Sequence, residues 1–276
     1  MKSFKVFENN DLTYVFVGDL MQHPHQLKYE SSKNFSYDGV FDEVQPILDQ
    51  GDFVVGNLET LMTRNFVQPE YRSPTFNAPV AFGEALKRAG FTHLCCQNNH
   101  MYDHGREGYE ENVSLIKKCG IVPIDSRTTV GDMDIINFST HFNELGPERL
   151  GNFEISKEVE RLTEPSTRLQ ACFVHWGDQY NPVANAEQID TNKFLKESGY
   201  SLIVGSGPHS VNQTVQEDDV VTAYSLGDFL SAHQKPGTTN LGKILVVTVS
   251  EGRVSNHMEY DTETIETNGK SRIVIR

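Results

Sequence analysis

Six side chains able to bind a cation or move a proton stand at or just beyond the ends of short apolar runs. Asp19 follows 13–18, Glu59 follows 53–57, Asn99 and His100 follow 92–97, His175 ends 169–175, and His209 follows 201–205. Carboxylate oxygens, an amide oxygen and imidazole nitrogens together suit borderline-hard divalent ions such as Mn²⁺, Fe²⁺, Zn²⁺ or Co²⁺, with no thiolate needed. In α/β sheets ligands occupy the crevice beyond the carboxyl ends of the strands, so side chains far apart in the chain would meet there. Each residue alone has a plainer use: an Asp after Gly caps or turns, and a strand-end His is usually just hydrogen-bonded. Five apolar runs ending the same way make the set informative.

The elements that must position these groups are legible as alternating periods. Runs rich in β-branched and aromatic residues predict strands at 13–18, 53–57, 92–97, 169–175, 201–205 and 220–226. Between them, 79–89, 109–120 and 185–199 each carry an apolar face and are closed by a glycine, as helices with left-handed caps are; the last opens on Asn185. Strands alternating with helices predict sheets covered by helices. From 241 to 262 two alternating runs flank a Glu-Gly turn and predict a β-hairpin, an antiparallel finishing edge. The stretch 125–168 shows no clear period and reads as an irregular insertion or lid within one domain spanning 1–276.

Composition narrows the class. At 276 residues, 37% hydrophobic and 22% charged, the chain can bury a core without disulfide staples. The formal charge of −14, with no Lys/Arg cluster, argues against nucleic acid or an anionic membrane as a partner. Cys95, Cys96, Cys119 and Cys172 have no CxxC spacing and read as buried free thiols. No apolar stretch follows Lys2, so the expectation is a cytoplasmic chain with no signal peptide or inserted helix, membrane-associated only if a leader has been removed. No oligomeric state follows from the sequence.

The segments GDLMQ (18–22), GDFVVGNLET (51–60), QNNHMYDHGREG (97–108), HWGDQY (175–180), GSGPHSVNQ (205–213) and AYSLGDF (223–229) resemble, in order and spacing, the CapA-like proteins associated with poly-γ-glutamate capsule synthesis. That family is similar to the calcineurin-like metallophosphoesterases. The resemblance implies a four-layer α/β/β/α sandwich of mixed β-sheets flanked by helices. It implies Asp19 as a ligand of a first metal, Glu59 as the bridging carboxylate, Asn99 and His175 on a second metal, and His209 on the first. His100 takes the position of a catalytic histidine, a proton donor to a leaving oxygen. Trp176 and Gly177 look structural.

Two departures from the phosphoesterase pattern stand out. Met21 occupies a position where that pattern has His, and Gly207 replaces the first His of a GxHPH turn, which weakens one metal position. Supplementary ligands are available in His23 and His25, in a Pro-containing segment, and in Asp228, where relatives carry Asn. Asp178 is placed to orient His175 from behind, and Asp103 and Gly105 to fix the turn into 109–120. The implied chemistry is hydrolysis or transfer at a phosphoryl, acyl or amide centre with one or two divalent ions. The substrate would be an anionic polymer or a phosphorylated small molecule. The rival is a polymer-binding or assembly component with a degenerate site, and restoring Gly207→His would separate the two.

Overall fold

The computed structural model describes residues 11–66, 75–141, 143, 166–233 and 240–276. The opening residues around Lys2, and positions 142 and 144–165 of the expected insertion, lie outside the described residues. The strands in chain order are β1 (Leu12–Leu20), β2 (Phe53–Leu58), β3 (Leu61–Thr63), β4 (Asn77–Pro79), β5 (His93–Cys95), β6 (Val122–Ile124), β7 (Arg127–Val130) and β8 (Met133–Ser139). They continue as β9 (Leu169–His175), β10 (Leu202–Ser206), β11 (Thr214–Glu217), β12 (Val220–Ala223), β13 (Asp228–Leu230), β14 (Leu241–Ser250), β15 (Arg253–Thr267) and β16 (Lys270–Ile275). The helices are α1 (Pro24–Ser31), α2 (Gln45–Leu48), α3 (Val80–Arg88), α4 (Gly105–Lys118) and α5 (Ala186–Glu197).

Two large sheets form. The first has the order β16-β15-β14-β1-β2-β5-β6, with β13 also paired to β1; the second has the order β11-β12-β10-β9-β8-β7. Strand alternation explains how they stack, because successive side chains leave opposite faces. On β1, Tyr14 and Phe16 face the second sheet and pack with Phe173, Leu202, Val204 and Val221. Val15 and Val17 face the other way, onto Phe82, Ala85 and Leu86 of α3 and Leu115 and Ile116 of α4. The outer face of the second sheet, with Cys172, Val174 and Ile203, buries Leu195 of α5, Trp176 and Tyr200. The result is the layered α/β/β/α arrangement, two stacked sheets covered by helices.

Within each sheet the functional strands run parallel: β1 beside β2 beside β5, and β8 beside β9 beside β10. Their carboxyl ends therefore sit at one rim of the two stacked sheets. β1 changes partner along its length, pairing with β14 from Leu12 to Val17 and with β13 at Asp19 and Leu20. Gly18 lies at this handover because a Cβ there would meet the Gly227 carbonyl oxygen at 1.9 Å.

Several expectations need correcting. The stretch 125–168 is not irregular throughout, since it supplies β7 and β8, and β8 is buried along its whole length. The segment carrying His23 and His25 leads into α1, where Pro24 is the first residue and Gln26 Oε1 accepts from the His23 backbone N–H at 2.8 Å. The C-terminal hairpin forms, but its second strand continues to Thr267 and is extended by β16. All four cysteines are free; Cys119 is half-buried and the other three are buried. Among the described residues no helix is long and apolar enough to cross a membrane.

Candidate metal centre

The rim gathers the expected side chains. Asp19 is one residue short of the end of β1, Glu59 directly follows β2, and Asn99 lies in the loop between β5 and α4. His175 ends β9 and His209 lies three residues beyond β10. Asp19 and Glu59 are wholly buried, and His175, His209 and Asn99 nearly so. The ligand atoms of Asp19, Glu59 and His175 lie within 4.8 Å of one another. His175 Nε2 is 3.8 Å and His209 Nε2 is 3.6 Å from Glu59 Oε1.

Fit to a cation can be judged from atoms left without partners. Both carboxylate oxygens of Glu59, the Asn99 Oδ1 and the Asp228 Oδ2 are buried and make no hydrogen bond among the described residues. Buried acceptors in native folds are almost always satisfied, so four orphans around one rim call for an electropositive occupant. The donor set therefore fits a divalent ion.

Electrostatics agree. Burial, with the Asp19 and Asp228 carboxylates nearby, pushes Glu59 well above the usual carboxylate range. Burial works to lower His209, but Glu59, Asp228 and Asp19 hold it well above its ordinary value. Burial likewise works against ionised Asp19, yet His209, His175 and Asn57 bring it down to about 2. A cation bound among these carboxylates would favour their ionised forms. His175 is held down at about 3 by burial, so its ring is neutral and able to ligate.

A polar scaffold fixes the ligands. Asn57 Nδ2 donates to Asp19 Oδ1 at 2.8 Å, and Gly207 N donates to Asp19 Oδ2 at 3.3 Å. Asn98 Nδ2 donates to Asn57 Oδ1 and to the Leu58 carbonyl, tying the β2 and β5 ends together. His175 Nδ1 lies 3.2 Å from Ser206 Oγ and 3.4 Å from Asn57 Nδ2. Sequence reasoning missed Asn57, Asn98 and Ser206, although Asn57 and Asn98 stand within two residues of Glu59 and Asn99 in the same strand-end signal. It also missed His233, which lies between the predicted strand 220–226 and the predicted hairpin 241–262.

His100 is oriented by Asp103, whose Oδ2 lies 2.8 Å from Nδ1 and also accepts from the Phe76 backbone N–H. The ring stands edge-on to Phe76 at 4.7 Å. Asn143 Nδ2 also lies 3.2 Å from Nδ1, so both neighbours engage the same ring nitrogen and leave Nε2 open. Asp103 is therefore more than a turn former.

Other candidates fall elsewhere. Asp178 is exposed and makes no hydrogen bond to the His175 ring among the described residues; Ser206 and Asn57 hold that ring instead. His25 pairs with Glu266 at 2.8 Å and its ring stacks on that of His23 at 5.8 Å. His23 Nε2 lies 3.0 Å from Ser231 Oγ and its ring packs against His233, one ring removed from His209. Asp228 does join the centre, with Oδ1 3.0 Å from His209 Nδ1. At Gly207 the backbone has φ +109°, and a Cβ would meet the Trp176 carbonyl oxygen at 2.7 Å. A histidine there is incompatible with this backbone, so Gly207→His cannot simply restore a ligand.

Comparison with known proteins agrees with this architecture. The chain is similar to the capsule biosynthesis protein CapA of Bacillus anthracis, 26% identical over 250 residues that cover 81% of this chain and 60% of that protein. It is also similar to the PGA biosynthesis protein CapA of Bacillus subtilis (strain 168), 25% identical over 251 residues, covering 82% of this chain and 65% of that protein. The chain thus spans less than two thirds of the length of either relative. Among solved structures, a hypothetical protein from Thermus thermophilus superposes with TM-score 0.58 at 15% identity, covering 91% of this chain and 98% of that one. A protein described as a novel phosphatase from Mycoplasma pneumoniae gives 0.55 at 13% identity, covering 91% and 93%; both likenesses concern the fold. The family described as bacterial capsule synthesis protein PGA_cap matches residues 13–129 and 128–233, and this chain belongs to that family.

Proposed function

We propose that the chain is a divalent-metal-dependent hydrolase of capsule biosynthesis with a phosphoesterase-type site. Its substrate would be an anionic polymer such as poly-γ-glutamate or a phosphorylated small molecule. The observation that carries this reading is Glu59, a fully buried carboxylate with no hydrogen bond to either oxygen among the described residues, set between His175 and His209. Asp19, Glu59, Asn99, His175 and His209 would hold the metal, and oxygen and imidazole donors favour Mn²⁺, Fe²⁺, Zn²⁺ or Co²⁺. A bound ion would supply Lewis acidity at the scissile centre and lower the pKa of water there.

The chain's own residues do the rest. Asn57 and Gly207 fix the Asp19 carboxylate, and Ser206 and Asn57 fix the His175 ring. His100, oriented by Asp103, donates the proton to the leaving oxygen. Asn99, His175 and Gly207 open onto a cavity of about 470 Å³ that Thr140, His141, Asn143 and Asp178 also line. No Lys or Arg side chain lines this cavity among the described residues, so recognition of an anion falls to the metal and to amide and hydroxyl donors.

Protein purified without chelator is expected to contain one or two transition-metal ions and to cleave bis(4-nitrophenyl) phosphate or a γ-glutamyl polymer. Asn99→Ala should lose both metal and turnover. A protein that stays metal-free and inactive after Mn²⁺ is added sinks the reading. Gly207, which offers no ligand side chain at the rim, favours one alternative, a polymer-binding or assembly component without turnover. Binding of γ-glutamyl polymer that proceeds without cleavage in the metal-loaded protein identifies that alternative.

A further inference from the structure

Beyond the cluster around Glu59 lies a second triad. The ligand atoms of His209, Asp228 and His233 lie within 4.8 Å of one another, and none of these residues belongs to the Asp19, Glu59 and His175 group. His209 Nδ1 is 3.0 Å from Asp228 Oδ1, and His233 Nε2 is 3.4 Å from Asp228 Oδ2. Asp228 is wholly buried, and its Oδ2 makes no hydrogen bond among the described residues. Two imidazoles and one carboxylate are the donor set of open catalytic zinc sites and of non-haem iron sites. Nitrogen and oxygen donors at about 2.0–2.2 Å from a tetrahedral ion stand about 3.3–3.6 Å apart, the range in which the His233 and Asp228 atoms already lie.

We propose that His209, Asp228 and His233 form a separate cation subsite for a divalent transition metal, displaced from Gly207 towards β13. The ring of His209 decides between two assignments. Its Nδ1 is closer to Asp228, at 3.0 Å, than to Asp19, at 3.4 Å, while Nε2 is 3.6 Å from Glu59. Asp228 therefore competes for His209, and His233, whose ring centroid is 4.8 Å from that of His209, completes the set. Gly207 offers no ligand side chain, whereas Asp228 and His233 both lie against the His209 ring. Asp19, Glu59, His175 and Asn99 then hold the other ion without drawing on His209.

This inference rests on the metal-dependent reading of the same rim, and the test separates the two. Full-length protein is stripped, dialysed against Co²⁺ or Zn²⁺, and analysed for bound metal by mass spectrometry, with the Co²⁺ visible spectrum as a second readout. Wild type is expected to bind two ions per chain, and Asp228→Asn and His233→Gln one each, with at least a tenfold loss of affinity for the second and loss of its absorption band. Glu59→Gln should remove the other ion and leave that band. Circular dichroism checks that the variants, which are near-isosteric, remain folded. Two ions in wild type and in both variants, at unchanged affinity, overturn the second subsite. One ion in wild type, lost with Glu59→Gln but kept in Asp228→Asn and His233→Gln, overturns it and leaves the hydrolase reading standing. No ion in wild type overturns both.

Discussion

Asp19 and Asp228 are register partners on adjacent parallel strands, each directly following a glycine, and His209 Nδ1 lies between their carboxylates at 3.4 and 3.0 Å. Two buried carboxylates on neighbouring strand ends repel unless positive charge lies between them. The backbone enforces this approach, because Asp19 N donates to the Gly227 carbonyl at 2.9 Å. The same geometry leaves no room on Gly18.

Gly18→Ala should therefore both destabilise the fold and misplace Asp19. Its Cβ would stand 1.9 Å from the Gly227 oxygen, a backbone atom that cannot swing aside. Overpacking of this kind costs about 1–3 kcal/mol, and a backbone clash belongs at the upper end. Urea denaturation should show the loss, and metal content should fall with it. A variant as stable as wild type means that β1 and β13 do not meet as described.

Glu59→Gln should act on the metal rather than on folding. The carboxylate already sits well above its usual range through burial and its acidic neighbours, so a neutral isostere suits the cation-free protein at least as well. Metal affinity is expected to drop at least about 100-fold. In wild type, a cation at a hundredfold excess over its Kd adds about 2.7 kcal/mol of stability, seen as a higher Tm. In the variant the part of that rise due to the ion at Glu59 should be lost, leaving only what the His209, Asp228 and His233 subsite contributes, while its Tm in chelator is unchanged or higher. A normal rise in Glu59→Gln removes Glu59 from the ligand set.

Asp103→Asn should lower kcat while leaving metal content intact. Asp103 touches no ligand; it holds His100 Nδ1 at 2.8 Å and so sets which nitrogen carries the transferable proton. A loss of about 10–100-fold is expected, with about 10²–10⁴-fold for His100→Ala. If Asp103→Asn lowers metal content and leaves kcat per bound metal unchanged, Asp103 is structural.

The rim was legible in the sequence because apolar runs announce buried strands and their polar endings announce what the strands present. Asp19, Glu59, Asn99, His175 and His209 obey that rule. β8 did not, because Asp134 and Asn137 interrupt its apolar pattern although the strand is buried throughout. Asn137 receives hydrogen bonds from the Cys96 and Gln97 backbone and donates to the Phe173 carbonyl. Those partners are remote in sequence, so a polar residue that is satisfied in the fold reads beforehand as a loop residue. His233 was hidden for the opposite reason: no apolar run ends at it, and only the pairing of β13 with β1 brings it to His209.

Asp134 gives this hidden strand a pH signature. Burial works to raise its pKa, but hydrogen bonds from Ser166, Thr129 and Arg127 hold it at about 2, against 3.8 ordinarily. A carboxylate lowered in the folded state stabilises it fully above the unfolded pKa, and the contribution fades as pH falls through the folded one. The window is therefore from about pH 4 down to about pH 2, and the contribution above it is about 1–2 kcal/mol once solvent screening near the sheet edge is allowed for. Asp134→Asn should be less stable than wild type by about that amount at pH 7. The gap should narrow as urea midpoints are taken from pH 5 towards pH 3, because wild type loses its advantage there and the variant has none to lose. A gap that stays constant over that range would mean that the Asp134 carboxylate is not held by Ser166, Thr129 and Arg127 as drawn.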